Sequence, residues 1–83
     1  MDTFNQLVGE QLKTMEKLLF LQAEIERCQQ MESGLIERNE TEKVEKVKEE
    51  VKKLKKELKE VQEEFTRQTN EVIHTYSQTK VTN

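Results

Sequence analysis

From residue 44 to residue 75 the apolar side chains step by three and four in alternation: Val44, Val47, Val51, Leu54, Leu58, Val61 and Phe65, with Val72 continuing the series through Gln68. A repeat of this kind draws one narrow stripe along an α-helix, and the stripe is satisfied only against a second helix. It sets heptad positions a at 44, 51, 58, 65 and 72 and d at 47, 54, 61, 68 and 75. The segment is therefore expected to be a coiled-coil strand and the main oligomerisation seam.

The first part of the chain carries a second, less regular stripe. Phe4, Leu7, Val8, Leu12, Met15, Leu18 and Leu19 fall within a sector of about 140° at helical spacing. From Leu18 a narrower track continues through Leu21, Ile25 and Cys28 to Glu32 and Leu35. Its heptad has a at Phe4, Gln11, Leu18, Ile25 and Glu32, and d at Leu7, Thr14, Leu21, Cys28 and Leu35. The surplus apolar residues Val8, Leu12, Met15 and Leu19, with Phe20 off the stripe, imply that this helix touches more than one neighbour.

The two seams are out of phase. The last d position, Leu35, and the first a position, Val44, are nine residues apart, where an unbroken heptad requires four or eleven. Insertions of three or four residues can be absorbed by a continuous coil; this offset is neither. The predicted fold is all-α: two long helices forming a coiled-coil hairpin that assembles into a bundle, with a single kinked rod as the alternative.

Local signals place the turn near residues 34–39. Gly34 suits a helix C-terminus, where a left-handed residue is wanted. Asn39 with Glu42 three residues on reads as a capping box, and Thr41 is a second N-cap candidate. Helix one is predicted over about 2–33 and helix two over about 40–77. A loose tail is expected at 78–83, where the Thr- and Ser-rich ending "HTYSQTKVTN" has poor helix propensity.

Composition limits what such a chain can do. With 83 residues it forms at most one domain, and its 33% hydrophobic content is below the roughly 45–50% of globular proteins. So few apolar residues stabilise a fold only by lining stripes that meet other helices. The absence of proline favours uninterrupted helix. The net charge of −3 argues against a broad nucleic-acid interface. The longest apolar run, Leu18-Leu19-Phe20-Leu21, is far short of a membrane span. No leader pattern opens the chain, so the expectation is an intracellular protein, cytoplasmic or nuclear, neither secreted nor transmembrane.

The outer positions of the second seam carry Lys43, Glu50, Glu57, Glu64 and Glu71 at g, and Lys48, Lys55, Gln62, Thr69 and Tyr76 at e. If this segment pairs with itself, Glu50 opposite Lys55 favours the parallel arrangement. Glu42–Lys46 and Glu49–Lys53 are good (i, i+4) pairs along its own surface.

The remaining candidates for chemistry are weak. Asn39-Glu40-Thr41 spells a glycosylation acceptor, but a helix cap is the better reading without a leader. Cys28 lies on the seam and reads as a small buried hydrophobe. Glu71 and His74 are one turn apart with no third metal ligand, so no metal or cofactor is expected and His74 reads as a solvated side chain. "KKLKKELK" at 52–59 is bordered by glutamates and reads as a coiled-coil face. No catalytic set can be assembled, and the chain is expected not to be an enzyme.

The resulting expectation is a coiled-coil scaffold or adaptor subunit, with the look of small eukaryotic subunits of multi-protein assemblies. Its partners would be protein helices, in homo- or hetero-oligomers. A membrane adaptor binding lipid through residues 7–25 is an alternative. So is a regulatory peptide that sequesters another coiled coil.

Overall fold

The computed structural model describes residues 2–81, with side chains placed for residues 3–78. It contains two helices, α1 (Asp2–Glu37) and α2 (Thr41–Val81), joined by a short turn and packed antiparallel along their lengths. The molecule measures 66 × 14 × 13 Å. A continuous rod of this chain length would extend about 120 Å at 1.5 Å per residue, so the rod alternative is excluded.

The heptads decide what is buried. All twenty a and d positions assigned to the two seams are buried or half-buried. Ile25, Cys28 and Val51 form the centre, and Val47, Leu54 and Leu58 pack against it. Toward the open end the same register persists. Gln11, seventeen residues before Cys28, meets Thr69, eighteen after Val51, through a hydrogen bond from its Nε2 to the Thr69 hydroxyl. The Phe4 and Tyr76 rings meet in a tilted arrangement at a centroid distance of 6.1 Å. No skip interrupts the coil over this length.

The core is thin and unevenly distributed. Every buried apolar side chain among the described residues lies between Leu21 and Val61: Leu21, Ile25, Cys28, Leu35, Val44, Val51 and Val61. In the open half the one buried side chain among the described residues is polar, Thr14, whose hydroxyl donates to the Glu10 carbonyl.

The turn corrects the expected boundaries. α1 does not stop at 33; it runs straight through Gly34, whose φ is not positive, to Glu37. Glycine costs a helix about 1 kcal/mol, whereas burying Leu35, one residue on, contributes roughly 1.5–3 kcal/mol. Burial therefore carries the helix past the glycine. The left-handed residue is Asn39, at φ 58°. Its N–H donates to the Ile36 carbonyl, and the Glu40 N–H donates to the Leu35 carbonyl, both at 3.0 Å. These two bonds are a Schellman motif with Asn39 at C′.

Asn39 thus terminates α1 and does not cap α2. The Asn39–Glu42 capping box is not formed, because the first helical bond of α2 runs from the Val44 N–H to the Glu40 carbonyl, which puts Glu40 at the N-cap. Thr41 is the first helical residue, not a cap. α2 also extends beyond the expected end at 77. Residues 78–81 are helical, and 82 and 83 lie outside the described residues. The seam explains this extension: Val72 and Thr75 are half-buried and Tyr76 packs on Phe4, so packing overrides poor local propensity.

Candidate interaction surface

Of the residues expected on the partner face of α1, Phe4, Leu7, Leu18, Leu21, Ile25 and Cys28 turn inward onto α2. The seam of α2 that was expected to oligomerise, Val44 through Val72 with Phe65, is occupied by α1 within the same chain. Parallel pairing of α2 with another α2 through this seam would require the hairpin to open.

The residues left outside are the surplus set. Leu12 is 56% exposed, Met15 42%, Leu19 60% and Phe20 62%; Val8 is half-buried beside them. Val8, Leu12, Met15 and Leu19 stand at heptad positions e and b, a second seam beside the first. Asn5 precedes this stripe and Gln22 follows it, so six successive flank positions carry no charge.

In an antiparallel pair the e positions of the two helices share one side, and the g positions the other. On the e side of the open half, α2 presents Gln62, Thr66, Thr69, Ile73 and Tyr76, again uncharged. Ile73 is 57% and Tyr76 54% exposed. Local propensity points to fraying in this region and so hides both residues; the regular steps of three and four from Gln62 to Tyr76 are the signal that finds them. Nearer the turn, the same side of α2 carries exposed Lys48, Lys52, Lys55 and Lys59.

The g side is charged, with carboxylates and cations mixed: Lys13 and Lys17 of α1 and Lys43 of α2 stand there among the glutamates. α2 contributes Glu50, Glu57, Glu64 and Glu71. An open groove of about 370 Å³ on this side is lined by Glu10, Lys13, Thr14, Lys17, Glu64 and Gln68. Its rim is charged and its floor, at Thr14 and Gln68, is polar, unlike the apolar clefts that hold small ligands.

Ion pairs contribute little to this architecture. Among the described residues they are Arg27–Glu24 at 2.6 Å, Arg38–Glu40 at 2.7 Å and Lys43–Glu40 at 2.9 Å. Glu42–Lys46 and Glu49–Lys53 do not close. The Arg38 hydrogen bond, helped by that of Lys43, holds the Glu40 carboxyl below its ordinary value. The Arg27 hydrogen bond does the same for Glu24. These surface pairs are screened by water; Arg38–Glu40 sits across the turn and links the end of α1 to the start of α2, while Lys43–Glu40 lies within the first turn of α2.

Cys28 is buried against Val51 and Ile25. His74 is exposed, and among the described residues no group of three His, Cys, Asp or Glu could hold a metal ion. Gly34 and Glu42 lie in helix and take no part in the turn's hydrogen bonds beyond the Gly34 carbonyl, which accepts from the Arg38 N–H. No helix among the described residues is long and apolar enough to cross a membrane.

Fold and surface together define an antiparallel two-helix coiled coil with one uncharged, apolar flank. The chain belongs to the YgaB-like protein family, whose model matches residues 3–79. It is 38% identical over 76 residues to the uncharacterized protein YgaB of Bacillus subtilis (strain 168), an alignment that covers 92% of this chain and 67% of that protein. That relative is bacterial, unlike the eukaryotic subunits whose pattern the sequence suggested. No solved structure matches the chain.

Proposed function

We propose that this protein is a non-enzymatic interaction module, a small scaffold or adaptor subunit that joins helical protein partners through the apolar flank of α1. One observation carries the reading. The seam of the hairpin is filled internally, yet Leu12, Met15 and Leu19 remain on the outside at helix-packing spacing. A helix with two adjacent seams is built for two neighbours, and the chain itself supplies only one.

Affinity capture with the wild-type chain and with Leu12→Glu/Leu19→Glu tests this function. Both substitutions sit on exposed positions, so circular dichroism should report an intact hairpin. Helical partners, whether copies of the chain or other proteins, should be retained by the wild type and lost by the variant. Equal retention by both chains would refute the assignment.

The lipid-surface reading has one observation of its own. Lys48, Lys52, Lys55 and Lys59 of α2 lie on the same side as the apolar flank of α1, a combination suited to an anionic bilayer. Flotation with anionic vesicles separates it from the protein-partner reading. The regulatory-peptide reading loses ground, because sequestering another coiled coil through either seam would first require separating α1 from α2.

A further inference from the structure

We infer that the helical partner of the α1 flank is a second copy of this chain, packed across a two-fold axis that passes between Leu12 and Met15. The inference rests on the interaction-module reading above and names its partner.

The flank reads Asn5, Val8, Leu12, Met15, Leu19, Gln22. In class it is a palindrome: amide, four apolar residues, amide. A two-fold interface requires a self-complementary patch, in which residue i meets j and j meets i. Laying this stripe antiparallel on itself sets Leu12 against Met15, Val8 against Leu19, and Asn5 against Gln22. Apolar meets apolar and amide meets amide at every level, with no charge on the stripe to oppose its own image.

Charge also selects the face. On the g side Glu50, Glu57, Glu64 and Glu71 of α2 are interspersed with Lys13, Lys17, Lys43, Lys46 and Lys53, so two copies meeting there would have to desolvate many charges. The flank avoids this cost. Under the same two-fold, Lys55 and Lys59 of α2 run toward Tyr76 and Ile73 of the second copy and away from its lysines.

Area is sufficient. Leu12, Met15, Leu19, Ile73 and Tyr76 expose on the order of 500 Å² of mostly apolar surface per chain, before Val8 and the flanking amides and threonines are added, against the roughly 800 Å² per partner of a standard interface. Gly9 adds an independent hint. A Cβ built there would meet nothing within 4 Å inside the chain, so the hairpin itself has no need of this helix-weakening residue. In the two-fold arrangement Gly9, at heptad position f, borders the flank.

Sedimentation equilibrium of the full chain over a wide concentration range is the test. The expected mass is twice the 9.9 kDa of one chain, falling to 9.9 kDa in Leu12→Glu/Leu19→Glu with helicity retained. In a Cys28→Ser background, chains carrying Asn5→Cys should form a mixed disulfide with chains carrying Gln22→Cys, and no Asn5→Cys homodimer. Homodisulfides at residue 5 would overturn the antiparallel geometry. A wild-type chain that stays monomeric would overturn self-pairing. If that monomer still captured another helical protein through Leu12 and Leu19, the interaction-module reading would survive. If it instead floated with vesicles of phosphatidylglycerol and phosphatidylcholine, the face would be a lipid surface.

Discussion

Gln68 stands at a d position of α2, and its Oε1 is buried with no hydrogen-bond partner. One residue on, the Thr69 hydroxyl accepts from the Gln11 amide and donates to the Phe65 carbonyl at 2.9 Å. A buried acceptor without a donor costs about 1–3 kcal/mol. Replacing it by a side chain of similar size with no polar atom removes that cost and adds apolar burial at a half-buried site. Gln68→Leu is therefore expected to stabilise the hairpin by about 1–2 kcal/mol, which raises Tm by roughly 5–15 °C for a chain of this size. Thermal and urea unfolding followed by far-UV circular dichroism measure it, at a single low protein concentration so that association does not contribute. The urea midpoint should rise with the slope unchanged. The companion Gln11→Leu breaks a formed hydrogen bond and should stabilise less, or destabilise by about 0.5–1 kcal/mol. If Gln68→Leu lowers the midpoint, the oxygen has a donor in solution, and reading this layer as an unsatisfied defect is refuted.

Other outcomes follow from the turn and the core. At Asn39, φ 58° is open to glycine and strained for β-branched residues: Asn39→Gly should leave Tm unchanged or slightly raised, and Asn39→Val should cost about 1–2 kcal/mol, read from the same melts. Ile25→Ala empties the central cluster with Cys28 and Val51 and should cost about 2–4 kcal/mol, seen as a lower urea midpoint. Glu40 has its folded pKa depressed by Arg38 and Lys43, so its contribution is present above the ordinary carboxylate value and lost as pH falls through the lower folded one. Glu40→Gln should flatten that part of the stability–pH profile in acid denaturation and leave the rest.

The fold was legible where the signal was periodic. Each a and d position, down to Gln11, Thr14 and Glu32, which made the first seam look imperfect, is buried or half-buried, because a helix repeats its facing side chains whatever their chemistry. The nine-residue offset between Leu35 and Val44 was legible for the same reason, and it implied the hairpin. The element ends were not. Gly34 and Asn39 both suit a left-handed position, and the choice between them turned on burying Leu35, a tertiary energy absent from local propensity. Tyr76 held α2 together through Phe4, a contact whose partners are far apart in sequence. The candidate surface was half legible. Leu12, Met15, Leu19 and Phe20 stood out as surplus, but separating them from Leu18 and Leu21 required knowing which of two adjacent stripes meets α2. Ile73 was hidden because the tail's Thr and Ser residues mask its spacing.

Uneven burial along the hairpin suggests a division of labour. Toward the turn, Ile25, Cys28, Leu35, Val44 and Val51 are buried and the outside is mostly charged, with Met31 and Ile36 its exposed large apolar residues. Toward the open end the interior holds Gln11, Thr14 and Gln68, while much of the exposed apolar surface lies outside on Leu12, Met15, Leu19, Phe20 and Ile73. The closed half can hold itself together; the open half is weakly bound inside and well supplied outside, so it gains most from a second chain. Amide hydrogen exchange reads this difference directly, since local opening follows local burial. In the wild type, amides of both halves should be protected when the chain is concentrated. In Leu12→Glu/Leu19→Glu, exchange should accelerate at residues 4–19 and 62–76 and stay unchanged at 25–58. Uniform acceleration along both helices would show that the hairpin opens as one unit, and the division between a self-supporting half and a partner-supported half would fail.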